Sequence, residues 1–215
     1  MPGASKERIY LSLFSRIFDG EYGENTRLKE EELAREFGVS RTPIREVLRQ
    51  LEQDGVVQLV PHRGASVNPF TADDVEELYE IRKKLEVLAL EFAVPGIKLQ
   101  TLRELKAMIE AITDSCSPER VAEIDRSLHN YIISSSGKPR LSNLLGQVMR
   151  LMERFQYIGS THTSASDQRL ACQDHLELIE AMMRRDRETA TAVLANHIER
   201  SKQLAVSFLF IHQKR

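Results

Sequence analysis

The tripeptide Gly38-Val39-Ser40 constrains the fold most, because it joins two helical patterns by a turn that keeps them adjacent. The segment that opens at Leu28 has apolar residues at helical spacing and stops at Gly38. After the turn, Ser40 is a good N-cap, and Pro43 falls in the first helical turn, where its missing N–H costs no hydrogen bond. The spacing predicts a helix-turn-helix whose second helix ends at Gly55.

The residues on both sides of this motif extend it. An apolar pattern over Lys6–Asp19 predicts a preceding helix. Two β-rich runs, residues 56–60 and 65–67, follow the motif, and the turn sequence Pro61-His62-Arg63-Gly64 separates them. We therefore predict a DNA-binding type of domain within residues 1–70, a winged helix-turn-helix with a two-stranded hairpin.

The sequence changes character after residue 70, where nearly all of it has helical periodicity. Breaks rich in Pro, Gly and Ser divide this part into six predicted helices at 71–93, 98–114, 118–136, 139–159, 167–185 and 187–211. Six helices in a stretch of this length favour an antiparallel bundle. The predicted fold is therefore mainly α, with an N-terminal winged helix-turn-helix over 1–70 and a C-terminal bundle of about six helices over 71–215.

Composition places the chain in the cytoplasm and argues against a membrane partner. No apolar run reaches the roughly 18 to 20 residues of a membrane span, and the first residues lack the order of a secretory signal. Cys116 and Cys172 have no CxxC spacing, which predicts two free, buried thiols in a reducing compartment. The net charge is −2, and residues 1–70 carry ten basic against eleven acidic side chains. Any DNA-binding surface must therefore be local.

Such a local surface follows from the arginine row Arg41, Arg45 and Arg49, which lies beside the apolar arc of the predicted third helix. A solvated surface helix is the alternative, but the tight turn and the wing favour a helix that enters the major groove. Arginine suits this role because its planar fork can bind guanine O6 and N7 together or clamp a phosphate. The predicted DNA contacts are Arg41, Thr42 and Arg45 first, and then Arg49, His62, Arg63 and Gly64.

The stretch LAREFGVSRTPIREVLRQLEQDGVVQLVPHRGASV (33–67) resembles the winged helix-turn-helix of the GntR family of bacterial transcription regulators. The resemblance is carried by the SRTPIRE core and by PHRGA in the wing. It implies binding to a short palindromic operator in double-stranded DNA by a homodimer. Many members have an arginine where this chain has Glu31, so that contact is not carried over, and the role of Arg35 stays open.

Three histidines and one aspartate point inward from three predicted helices: Asp125, His129, His175 and His197. One inward histidine alone is more often a hydrogen-bonded core residue than a ligand. Four buried ionisable groups together are costly unless they are paired or coordinated, so they predict a divalent metal site for Zn²⁺, Ni²⁺ or Mn²⁺. Because neutral imidazole is the ligand, occupancy should weaken at acid pH.

The helical part resembles the FCD effector-binding domain of the FadR-like branch of that family, in its shorter, six-helix VanR-like form. The matching text is LYEIRKKLEVLALEFA (78–93), Asp125-x-x-x-His129, DHLELIEAM (174–182) and NHI (196–198). The resemblance implies a metal held by the four residues beneath a small organic acid, and it supports Arg82 as the anchor of the effector's carboxylate. From the residues alone, Arg82 could equally be structural and paired with a carboxylate such as Glu86.

The sequence as a whole predicts a ligand-responsive transcription regulator, by family habit a repressor, and not an enzyme. Two alternatives remain open. In one, the bundle serves only for dimerisation and binds no metal. In the other, a metal-dependent hydrolase or lyase uses the same four residues, although no inward Glu or Lys is evident as a general base and the winged helix would be unexplained.

Overall fold

The computed structural model describes residues 5–18, 21–61, 63–68, 71–113, 116–160 and 164–212. The chain divides into two compact units, residues 1–71 and 72–215. The elements of the first unit are α1 (Lys6–Phe18), β1 (Arg27–Leu28), α2 (Glu30–Phe37), α3 (Arg41–Gln53), β2 (Val57–Val60) and β3 (Gly64–Val67). This order confirms the predicted winged helix-turn-helix.

Helices α2 and α3 form because each has one apolar face and a defined end. Gly38 ends α2 in the left-handed conformation, with φ of 65°, and its N–H bonds to carbonyls of the last turn. The buried residues of α3 join those of α1 in one core that includes Ile9, Leu13, Ile44 and Leu48. Ser40 has the extended N-cap backbone, but its side chain makes no capping hydrogen bond.

The sheet has three strands rather than the two that the sequence predicted, in the order β1-β3-β2. Both neighbouring pairs are antiparallel, and Leu28 pairs with Ala65. The placement of Leu28 at the start of a helix was therefore wrong, because its backbone bonds to β3 while its side chain is buried in the core. A two-residue strand is too short to produce a periodic signal.

Gly64 opens β3 where β1 passes very close. Its φ is 88°, and a Cβ added there would lie 2.1 Å from the Leu28 carbonyl oxygen. We expect Gly64→Ala to destabilise the first unit by more than the roughly 1–2 kcal/mol of a left-handed alanine alone. Gly55→Ala is the matched control, since Gly55 has φ of 72° and no atom of the described residues lies within 4 Å of an added Cβ. Equal losses of unfolding free energy in urea for the two variants would contradict the steric explanation.

All secondary-structure elements described in the second unit are helices. Its helices are α4 (Ala72–Ala93), α5 (Leu99–Glu110), α6 (Pro118–Ser135), α7 (Pro139–Ser160), α8 (Ala165–Met183) and α9 (Arg187–His212), with a short 3-10 turn at Val94–Gly96. The six predicted helices are confirmed. Helix α4 packs against α6, α7 and α9, and α8 packs against α9 and α5. This arrangement directs residues of α4, α6, α8 and α9 into one interior.

Two further expectations concern the cysteines and the membrane. Cys116 and Cys172 are free, but both are partly exposed, so the prediction of buried thiols was wrong. Cys116 lies in the connection between α5 and α6 and not within a helix. Among the described residues, no helix combines the length and the apolar character that a membrane crossing requires.

Candidate metal centre and nucleic-acid interface

The structure brings the four predicted metal ligands together inside the second unit. Asp125 and His129 lie one turn apart on α6, His175 lies on α8, and His197 lies on α9. Each offers one ligand atom, and these atoms all lie within 4.8 Å of one another. The convergence follows from packing, because α8 pairs with α9 while α4 contacts both α6 and α9.

The spacing of the donor atoms fits a small divalent ion. Asp125 Oδ1 lies 3.3 Å from His175 Nε2 and 3.6 Å from His129 Nε2. The Nε2 atoms of His175 and His197 are 3.2 Å apart. Ligands bound at ~2.0–2.2 Å around one ion sit about 3.0–3.6 Å from each other. Three nitrogens and one carboxylate oxygen suit Zn²⁺ or Ni²⁺ better than Mg²⁺ or Ca²⁺.

Burial sets the charge states of these groups. The three histidines are buried, whereas the side chain of Asp125 is 25% exposed. Burial lowers the pKa values of His175 and His197, which favours the neutral imidazoles that a metal needs. Burial would also lower the pKa of His129, but the Glu86 carboxylate raises it to about 9. Burial opposes the charge of Asp125, yet the three imidazoles hold its carboxyl pKa well below the usual range.

Two carboxylates that the sequence did not assign to the site lie behind the histidines. Glu86 on α4 is fully buried and contacts His129 Nδ1 with Oε1. On α8, the buried Oδ2 of Asp174 lies 3.5 Å from His197 Nδ1. Among the described residues, this oxygen has no hydrogen-bond partner. A carboxylate on Nδ1 orients the ring and leaves Nε2 for a metal. The sequence showed no inward glutamate as a general base; Glu86 does point inward, and it is paired with His129.

Arg82 on α4 belongs to the same buried network. Its Nε donates to Glu86 Oε2 at 2.9 Å, and Nη2 lies 3.2 Å from His129 Nε2. Its side chain is 1% exposed, so Glu86 compensates a charge that burial opposes. Burial alone would raise the pKa of Glu86, but His129 and then Arg82 lower it to about 2. The pairing that the sequence offered as an alternative for Arg82 is thus present.

The predicted DNA-contacting residues lie on α3 and at the wing. Arg41, Thr42, Arg45 and Arg49 are all exposed on α3, beside its buried arc. Arg63 is exposed in the turn before β3, whereas Gly64 is half-buried and is required there by the close passage of β1. His62 lies outside the described residues. The backbone of Arg63 is held by a hydrogen bond from β1, because Arg27 Nε donates to the Arg63 carbonyl oxygen at 3.0 Å.

Two arginines of α3 are paired with the first turn of α2, which the sequence did not predict. Glu30 binds Arg45 through both carboxylate oxygens, at 2.9 and 2.7 Å. Glu31 binds Arg41 through one contact of 3.1 Å. The arginine row is therefore locally basic but partly neutralised by its neighbours.

Comparison with known proteins decides the family. Residues 77–200 match the FCD domain, and residues 5–67 match the bacterial regulatory proteins of the gntR family. The chain belongs to the GntR family. This GntR regulator is 30% identical to the HTH-type transcriptional regulator YdhC of Bacillus subtilis, over 88% of this chain and 86% of YdhC. It is 22% identical to the HTH-type transcriptional repressor RspR of Escherichia coli, over 90% of this chain and 85% of RspR.

Solved structures of GntR regulators share the fold. Escherichia coli McbR/YncC superposes with a TM-score of 0.72 at 21% identity, covering 96% of this chain and 99% of that one. The Zn²⁺-bound FCD domain of TM0439 superposes with a TM-score of 0.56 at 22% identity, covering 67% of this chain and 99% of that one. The chain is thus a DNA-binding transcription regulator with a helical FCD domain, and it is not an enzyme.

Proposed function

We propose that this GntR regulator is a cytoplasmic homodimeric repressor that releases a short palindromic operator when a small organic acid binds at a metal site in the FCD domain. The observation that carries the proposal is the buried cluster of Asp125, His129, His175 and His197. Such a set is costly to bury without a ligand that compensates it.

Metal binding is supported by the donor set and by the residues behind it. Asp125, His129, His175 and His197 would hold the ion, and Glu86 and Asp174 would orient two of the imidazoles. The FCD domain of TM0439, which shares the fold, has been solved with Zn²⁺. A bound divalent cation supplies positive charge and a coordination position for an anionic oxygen.

An organic acid is supported by the charge of the site. The guanidinium of Arg82 lies within hydrogen-bonding distance of His129, so a carboxylate near the cluster would meet a cation on that side. Glu86 takes Nε of Arg82 and His129 lies 3.2 Å from Nη2, so Nη1 is the donor that we assign to an anion. Arg82 therefore serves both as the partner of Glu86 and as the proposed effector anchor.

A homodimer is supported by both units. A domain with a single short arginine row makes few phosphate contacts, so a second copy is needed for useful affinity. On α4, Ile81, Leu88 and Phe92 share one helical face and are each 38–44% exposed. An apolar stripe of this kind is typical of a protein–protein contact, and a second copy of the chain is the partner we assign to it. Repression is supported by the relative RspR, which is a transcriptional repressor.

One thermal-unfolding experiment tests the metal and the effector in turn. We expect Zn²⁺, added to chelator-treated full-length protein at about 100 times its dissociation constant, to stabilise the fold by ~2.7 kcal/mol. His175→Ala should lose this stabilisation, because one of three imidazole ligands is gone. Asn130→Ala, an exposed neighbour of His129, is the control and should keep it. If Zn²⁺, Ni²⁺ and Mn²⁺ all fail to stabilise the wild-type protein, a metal-free bundle that serves only for dimerisation becomes the better interpretation.

The second stage adds a panel of mono- and dicarboxylates to the metal-loaded protein. A true effector raises the unfolding midpoint further, weakens binding to a fluorescent operator duplex, and does neither after chelation. Because the coupling is reciprocal, bound operator DNA must lower the affinity of the protein for the acid by the same factor. An acid that stabilises the protein but leaves DNA affinity unchanged would refute the regulatory part of the proposal while keeping the binding site.

A further inference from the structure

The contact between Glu30 and Arg45 has the geometry of a support for the arginine. Glu30 begins α2 and presents both oxygens to Arg45, Oε1 to Nε at 2.9 Å and Oε2 to Nη2 at 2.7 Å. The carboxylate side chain is 21% exposed, whereas the side chain of Arg45 is 55% exposed. The hydrogen bond from Arg45 lowers the pKa of Glu30, with Arg41 and Arg49 adding to the effect. The carboxylate of Glu30 thus interacts with all three arginines of the row, and most strongly with Arg45.

A guanidinium has two edges that can each form a paired contact. The first edge, Nε with one hydrogen of Nη2, is taken by Glu30. The second edge, Nη1 with the other hydrogen of Nη2, keeps the spacing that matches guanine O6 and N7 or a phosphate. A flexible side chain fixed in this way loses less entropy when it binds, because its orientation is already set.

We propose that Glu30 is a positioning residue for DNA recognition, which holds Arg45 so that its second edge faces the major groove. This inference rests on the assignment of α3 as the DNA-reading helix. It concerns specificity rather than affinity in general. A carboxylate at a DNA-binding face repels phosphate, and the contact with Arg45 gives Glu30 a role that offsets this cost.

The neighbouring acidic residues of the same turn provide natural comparisons. Glu31 makes a single 3.1 Å contact with Arg41, and the two side chains are 66% and 58% exposed, so this pair is screened and easily exchanged for a phosphate. Glu32 binds Lys29 at 2.6 Å. All three glutamates lie at the N-terminus of α2, where negative charge stabilises the helix to a similar degree. They differ chiefly in which side chain they hold.

The experiment compares Glu30→Gln, Glu31→Gln and Glu32→Gln in the full chain. The probes are a duplex selected by the wild-type protein from a random pool and an unrelated duplex of equal length, each titrated at several salt concentrations. Loss of a negative charge should raise affinity for the unrelated duplex in all three variants. We expect Glu30→Gln alone to lower affinity for the selected duplex, so that the ratio of the two affinities falls at least tenfold. Thermal unfolding of each variant checks that the fold is retained.

Different outcomes would refute the role of Glu30 and the assignment of α3 as the DNA-reading helix. If Glu30→Gln raises affinity for both duplexes as Glu31→Gln does, Glu30 is an ordinary surface charge and the inference is wrong. If Glu30→Gln and Glu32→Gln lower specificity equally, the cause is the stability of α2 and not the position of Arg45. A wild-type chain that binds the two duplexes equally would refute sequence reading by α3, and the inference with it.

Discussion

Replacing Arg45 with alanine is expected to lower affinity for a selected operator duplex by about 100-fold. A bidentate arginine–base contact contributes ~1–3 kcal/mol of discrimination, and a homodimer would lose two of them. The variant also leaves Glu30, with its 21% exposed side chain, without its partner at the DNA-binding face. Its carboxylate would then repel phosphate without compensation. The measurement is fluorescence anisotropy of the labelled duplex at constant salt.

Two variants identify the cause of the loss. Arg8→Ala removes an equal charge from the exposed side of α1 and should change affinity by no more than about twofold, since it lies off the predicted interface. Arg45→Lys keeps the charge but not the planar fork, so it should keep most binding to unrelated DNA and lose specificity. If Arg45→Ala still selects its operator as well as the wild type does, the assignment of α3 as the recognition helix is wrong.

The second large effect is expected from Glu86→Ala, which should destabilise the chelator-treated protein by ~3–5 kcal/mol. This is the usual cost of removing one member of a buried ion pair and leaving the other charge unpaired. Arg82 and Glu86 are 1% and 0% exposed, so the arginine that remains would be charged and without water. The variant also removes the contact with His129 Nδ1. The measurement is the free energy of unfolding in urea.

Arg120 and Glu123 offer the matched control. They form an ion pair on α6 with side chains that are 50% and 59% exposed, and Glu123→Ala should cost less than about 1 kcal/mol. Glu86→Gln adds a further test, because it keeps the shape and a hydrogen-bond acceptor while removing the charge. Similar small losses for Glu86→Ala and Glu123→Ala would show that Arg82 finds another partner or reaches solvent.

The sequence predicted what depends on local periodicity. It placed Asp125 and His129 on one face, and it identified His175 and His197 as inward, because a helix repeats every 3.6 residues and its buried face can be counted. The six helices of the second unit follow from the same regularity and from their Pro, Gly and Ser breaks. The arginine row of α3 was predicted for the same reason.

Contacts between distant segments were not predictable in this way. Periodicity says that Glu86 and Asp174 sit near buried faces, but only packing of α4 on α6 and of α8 on α9 brings them to His129 and His197. The pairing of Glu30 with Arg45 depends likewise on the angle between α2 and α3. The clash that an added Cβ at Gly64 would meet arises from β1, a strand of two residues that leaves no pattern in the sequence.

Helix α4 gives the second unit a mechanical property. It runs without interruption from Ala72, the first residue of that unit, past Arg82 and Glu86 to Ala93. At 1.5 Å per residue, Ala72 lies about 15 Å along the axis from Arg82. A stiff rod of this length has no joint in which a small rotation at the buried ion pair could be absorbed. We therefore expect a rotation of α4 at Arg82 to reach Ala72 rather than to be absorbed within the helix.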